Sequence, residues 1–226
     1  MRMFRRIVMI GMAGGVFLGR AATPPCDPAP ETPMSALTFV AFDFETSGLG
    51  PAQHRVIEIG AVRFRNGEVL ARASWLINPG LPIHYYARRA HGISDEDVKD
   101  APALEEVYSE FLAFCADDVL LAHNAPFDVR FWEEELRRTG LPAPCGPVLD
   151  TLRVFRTWFP EASSHSLEIL TDALGVPGDV YHRAGDDAEH LQRIFTLKAP
   201  DLPADYAWKD LVRDARIVLR VREPAP

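Results

Sequence analysis

Cysteine is scarce in this sequence: Cys26, Cys115 and Cys145 are the only three among 226 residues. An odd number without metal-ligand spacing argues against a disulfide framework or a zinc site, so free thiols in a reducing compartment are expected. A basic excess is lacking too, with 24 Lys and Arg against 32 Asp and Glu, a net charge of −8. That excludes a broad cationic face for nucleic acid, so any such contact must be local or assisted by metal. Long apolar runs are also missing. Residues 7–19 (IVMIGMAGGVFLG) supply 13, whereas a stable bilayer span needs about 20. No internal repeat or low-complexity tract is evident. With 47% apolar and 25% charged residues, the chain suits one sizeable α/β domain but not two.

The first 33 residues leave three alternatives open. Arg2, Arg5 and Arg6 precede the apolar run, and the Pro-rich stretch RAATPPCDPAPETP follows it. This length and basic flank suit a secretory signal, although Arg20 interrupts the place where small residues should lead to cleavage. An over-extended start, with the chain truly beginning at Met34, is the second alternative, and a disordered cytosolic leader the third. The organisation expected is a leader over 1–33, one domain over 34–198 and a tail over 199–226, in a cytoplasmic protein.

From Leu37 the pattern sharpens. Strands are predicted at 37–45, 55–64 and 69–78, the last two joined by Asn66-Gly67 as an antiparallel hairpin. Residues 78–83 read as a turn or loop. Ser94 is a helix N-cap with Asp97 three residues on, and a longer helix is predicted over 103–115. A short buried strand at 118–122 leads into a helix closed by Gly140. Further helices are predicted at 149–158, 166–174 and 184–198, and a short one in the tail. This order predicts an α/β fold, a mixed sheet flanked by helices.

Acids interrupt the first strand. In FVAFDFETSG (39–48), Asp43 and Glu45 are two residues apart and therefore share a face. Two buried carboxylates repel one another and need a positive partner. Neither Lys nor Arg lies within the strand, and hard oxygen ligands suit Mg²⁺ or Mn²⁺. HNAPFD (123–128) follows the strand 118–122, with Asn124 as a natural N-cap and Pro126 in the first helical turn. That puts Asp128 at a strand-to-helix junction, where sites of open α/β sheets lie. In HRAGDDAEHLQRIF (182–195), Asp187 lines up with Leu191 and Ile194 on the buried stripe, whereas Asp186 shares a solvated face with His190 and Arg193. Gly185 suggests that His182 sits on the loop before the helix.

Together these motifs resemble the DEDDh exonucleases, over roughly residues 37–197. D-x-E-T-S-G-L at 43–49, IEIGAV at 57–62, HGI at 91–93, HNAPFD at 123–128 and HRAGDDA at 182–188 occur in the family's order. The resemblance implies an RNase H-like fold and hydrolysis of phosphodiester bonds from a 3′ end. It also implies two Mg²⁺ or Mn²⁺ ions, roughly 4 Å apart, held by Asp43, Glu45, Asp128 and Asp187, with His182 as general base. Thr46 and Leu49 would contact the terminal nucleotide, with His91, Asn124 and Phe127 lining the same cleft. The expected partner is a single-stranded or frayed 3′ end of DNA, with a polymerase subunit acting in trans as a further one. Trimming of RNA or short oligonucleotides is the nearest alternative, and a non-catalytic nucleic-acid-binding module the more distant.

Overall fold

Phe39, Val40, Ala41, Phe42 and Phe44 are all buried along one extended segment, so layers must cover both of its faces. The structure, a computed structural model, describes residues 26–177 and 182–222. The segment is β1 (Thr38–Thr46), followed by β2 (Val56–Arg65) and β3 (Glu68–Leu76). Asn66 and Gly67 take φ of 48° and 82°, the left-handed pair of a two-residue hairpin, and Arg65 faces Glu68. The chain continues through α1 (Tyr85–His91), α2 (Asp95–Val98), α3 (Leu104–Cys115) and β4 (Val119–Ala122). Next come α4 (Pro126–Thr139), β5 (Val148–Asp150), α5 (Thr151–Trp158) and α6 (Leu167–Ala173). The last elements are α7 (Ala184–Lys198), α8 (Trp208–Ala215) and β6 (Val218–Leu219).

The strands form one sheet in the order β3-β2-β1-β4-β5-β6. β1 is antiparallel to β2 but parallel to β4, and β6 returns antiparallel to β5. The expected mixed sheet with flanking helices is therefore present. One apolar layer joins Phe42 and Phe44 to Phe111 and Trp132, with ring centroids 5.0–6.4 Å apart. The opposite layer joins Phe39 and Phe64 to Phe195 and Trp158, at 5.0–5.9 Å. Each such pair contributes about 0.5–1.5 kcal/mol beyond its area burial.

Several local expectations change. Residues 85–91 form a helix where only a motif before the first helix was foreseen. The helix predicted from 149 begins at Thr151, because Leu149 and Asp150 finish β5. Asn124 is not an N-cap. It takes φ 62° one residue earlier, and Ala125 occupies the cap position. Asn tolerates the left-handed region because its short side chain bonds locally.

The cysteine expectation is overturned. Cys26 and Cys145 form a disulfide with Cα atoms 5.5 Å apart, leaving only Cys115 free, buried in the core. Their 119-residue separation hides the pairing in the sequence. Chain packing brings them together: Thr32 and Pro30 carbonyls accept from Trp208 and Lys209 N–H at 2.9 and 3.0 Å, which docks residues 26–34 on the C-terminal segment. That segment packs on the domain through Asp214, which accepts from Trp158 Nε1 at 3.1 Å and Tyr206 OH at 2.6 Å. Trp208 and Leu211 are buried there, whereas Ile217 is exposed. Among the described residues, no helix is long and apolar enough to cross a membrane. Residues 1–25, the bulk of the expected leader, lie outside the described residues.

Candidate active site

Asp43 and Glu45 continue the face of β1 on which Phe39 and Ala41 meet α7. Phe39 packs on Phe195 near the C-terminal end of α7, so the N-terminal end of that helix lies over the two acids. Gly60 on β2, directly opposite Asp43, makes this approach possible. A Cβ there would overlap the backbone of Ala184 and Gly185, so only glycine admits the first turn of α7. Asp187 sits in that turn. One carboxylate oxygen each from Asp43, Glu45 and Asp187 lies within 4.8 Å of the others.

Asp128 arrives from the other side. β4 pairs only with Phe39–Ala41 of β1, so the N–H of Phe44 has no strand partner on that edge. Asp128, buried in the first turn of α4, accepts it at 3.2 Å through Oδ1. Asp150 holds the corner before α4, accepting from Asn124 and Ala125 N–H at 3.0 and 3.3 Å and from Leu152 N–H at 3.2 Å. One buried carboxylate thus caps α5 and fixes the loop that carries Asp128.

The electrostatics follow from burial with like charges. Loss of solvent holds the Asp43 carboxyl well above the usual range, and Asp128, Glu45, Asp187 and Glu58 add to it. Glu45 is pushed up to about 8, first by burial and then by Asp187, Glu58 and Asp128, with Arg183 opposing. Asp128 is likewise pushed up to about 8 by burial, against the pull of its backbone hydrogen bonds. The nearest guanidinium is already engaged. Arg183 binds Glu58 through Nε–Oε2 at 3.0 Å and Nη2–Oε1 at 2.6 Å, and Ala184 N–H donates to the same carboxylate at 3.1 Å. A close set of desolvated, hard oxygen donors with no cation among them fits a divalent metal.

The remaining expected residues surround this cluster. Thr46 is buried at a register shift in β1, and its hydroxyl donates to Gly48 C=O at 2.8 Å. Leu49, at the tip of the same turn, is 84% exposed. His91 is buried behind Thr46. Its Nδ1 accepts from Ile93 N–H at 3.0 Å, so Nε2–H donates to Thr46 C=O at 3.3 Å. Burial pushes this imidazole below the usual range, favouring the neutral form. Asn124 is exposed at the β4–α4 corner, and Phe127 is half-buried, 5.0 Å from the Phe131 ring. His182 is exposed on the loop before α7, with φ 61°, and its N–H donates to Asp187 Oδ2 at 3.0 Å. Gly185 lies in the first turn of that helix. Asp186 is exposed as expected, but His190 is buried, its Nδ1 3.7 Å from Asp187 Oδ1.

The exonuclease family model (RNase T) matches residues 40–195, which span every element of this cluster. The chain belongs to the exonuclease (RNase T) family. A PolC-type DNA polymerase III of Streptococcus pneumoniae strain D39 is 38% identical over 183 residues, 81% of this chain and 12% of the relative. The Streptococcus suis protein of that name is 38% identical over 168 residues, again 12% of its length. The chain thus spans about an eighth of the relatives it matches. Exonuclease X in complex with 5′-overhanging duplex DNA superposes with TM-score 0.57 at 26% identity, covering 77% of this chain and 99% of that one. The nuclease domain of 3′hExo, a DEDDh member bound to rAMP, shares the fold at TM-score 0.64 and 18% identity, covering 73% and 92%.

Two supports of this acid cluster escape sequence reasoning. Glu58 lies inside the IEIGAV strand, yet its strand-register opposition to Glu45 appears only after pairing. Asp150 carries a local signal, an Asp directly before a helix, although its hold on the Asn124 corner is non-local.

Proposed function

We propose that this chain removes nucleotides from the 3′ end of nucleic acid, DNA in preference to RNA, by hydrolysing the phosphodiester bond. The observation that carries this is the convergence of Asp43, Glu45 and Asp187 within 4.8 Å, with Asp128 beside them, on otherwise unneutralised carboxylates. These four residues would hold two Mg²⁺ or Mn²⁺ ions, which when bound offset the charge of the phosphate and acidify the attacking water. His182, exposed at the rim and tethered by its backbone to Asp187, takes the proton from that water. Thr46 and Leu49 contact the terminal nucleotide, the exposed Leu49 side chain meeting the base. His91 keeps the turn in position through Thr46 C=O, and Asn124 and Phe127 line the opposite wall. The likeness to PolC-type polymerases supports a DNA substrate and association with a polymerase.

The test is digestion of matched 5′-labelled DNA and RNA oligonucleotides with Mg²⁺ and with chelator. Products shortening from the 3′ end, faster on DNA and abolished by chelator, are expected. Faster RNA digestion would move the assignment to RNA trimming, and hydrolysis of neither would sink it. For the compartment, a polymerase partner places the protein in the cytoplasm, whereas the Cys26–Cys145 disulfide would need an oxidising setting reached by export. N-terminal sequencing of the natural protein checks this: a first residue at Met34 or Ser35 rules export out.

A further inference from the structure

Beside the carboxylates, four aromatic rings form a continuous row. It starts at His54, whose ring packs so closely on Gly48 that a Cβ there would overlap it, and whose Nδ1 lies 3.3 Å from Ser47 Oγ. The His84 ring is 6.0 Å from His54, the Tyr86 ring 5.6 Å from His84 and stacked on it, and the Tyr85 ring 5.4 Å from Tyr86. The row is joined rigidly to the β1 turn, because His84 N–H donates to Ser47 C=O at 2.8 Å. At its outer end Tyr85 and Tyr86 are 65% and 71% exposed, a poor use of two large rings unless something covers them. Arg88 and Arg89 follow one turn later, on the side of α1 shared with Tyr85. Both are exposed, and neither forms a salt bridge among the described residues. Residues 79–94 contain no Asp or Glu, although the chain carries a net charge of −8.

We propose that His54, His84, Tyr86 and Tyr85, with Arg88 and Arg89, form a binding platform for the single-stranded stretch of substrate behind the 3′-terminal nucleotide. It rests on the exonuclease assignment above and extends it from the terminal nucleotide to the strand that follows. Exposed rings take bases of any sequence by stacking, and unpaired guanidinium groups take the phosphates between them. Such a platform needs no broad basic surface. It places the positive charge where the strand leaves the carboxylates, and stacking is indifferent to the sugar, so DNA and RNA strands would both use it.

The experiment compares two substrates with wild type and the double variant Tyr85→Ala/Tyr86→Ala. One is a single-stranded oligothymidylate of about 12 nucleotides, run beside its oligouridylate counterpart. The other is the p-nitrophenyl ester of thymidine 5′-monophosphate, which fills only the terminal site. The double variant should raise KM for both oligonucleotides about tenfold or more and leave kcat and KM for the ester unchanged. Tyr85→Phe/Tyr86→Phe should restore wild-type KM. Arg88→Gln/Arg89→Gln should flatten the salt dependence of oligonucleotide binding by about 1.4 in log–log slope, two single-strand phosphate contacts. An oligonucleotide KM within twofold of wild type in the alanine variant would overturn the platform. Parallel loss on oligonucleotide and ester would also overturn it, by showing general damage. Wild-type protein that cleaves neither substrate would instead defeat the exonuclease assignment itself.

Discussion

Arg183 and Glu58 form a two-point ion pair between the N-cap of α7 and the start of β2, 2.6 Å at its shorter contact. Glu58 is buried, while the Arg183 side chain is 42% exposed. The pair fastens the helix start that carries Asp187 to the strand facing Glu45. Arg183→Ala would leave a buried carboxylate held only by Ala184 N–H. Its cost should be about 2–3 kcal/mol, below the usual cost of breaking a fully buried pair because Arg183 is partly solvated. Urea unfolding measures that loss, and kinetics should show kcat falling further than KM rises. Arg183→Lys, which keeps the charge but not the fork, should recover stability better than turnover.

Without metal, the acid cluster should make the fold more stable as pH falls. Glu45 and Asp128, each pushed up to about 8, and Asp43 above its usual range, hold protons that the unfolded chain has already released. Stability from these groups is full below the ordinary carboxylate pKa and is lost as pH rises toward 8. Thermal melts in chelator should therefore show Tm falling between about pH 5.5 and 8.5, and excess Mg²⁺ should flatten that slope. A Tm that rises over the same window in chelator would contradict the repulsion.

Asp43→Asn separates function from fold. Removing one of several crowded charges should raise Tm in chelator, while Mg²⁺-dependent hydrolysis falls by at least about a thousandfold, as expected when a metal ligand is lost. Unchanged activity in a metal titration would remove Asp43 from the site.

His182→Ala should lower kcat about 10²- to 10⁴-fold, the usual worth of a general base. His182 is exposed and its tie to Asp187 runs through its own backbone N–H, so melting temperature and oligonucleotide affinity should hardly move. Wild-type turnover would dismiss it as the base.

Breaking the Cys26–Cys145 bridge should cost about 2–4 kcal/mol, since it closes a long loop in the unfolded chain. Thermal melts of Cys145→Ser check this. Thiol titration of the denatured protein should find one reactive group, Cys115, before reduction and all three after it.

Local chemistry was legible in the residues. The buried strand at 39–45, the Asn66-Gly67 turn, the capping box at Ser94–Asp97 and Gly140 as helix stop each act within a few residues, and each appears in the structure. Helical periodicity set Asp187 and Asp186 on different faces, and the structure leaves Asp186 exposed while Asp187 joins Asp43 and Glu45. What the sequence by itself determined is therefore most of the elements, though not α1, β5 or β6, and the acids they display. Only the tertiary structure decided the rest. Glu58 opposes Glu45 because strand register says so, Asp128 meets Phe44 N–H because β4 stops short, and Cys26 meets Cys145 because residues 26–34 pack on the C-terminal segment, whose β6 pairs with β5 just beyond Cys145. His190 turned inward against its expected solvated face for a like reason: burial is set by what packs on a helix, not by its period. Such contacts join residues tens to more than a hundred positions apart, and no local propensity encodes that distance.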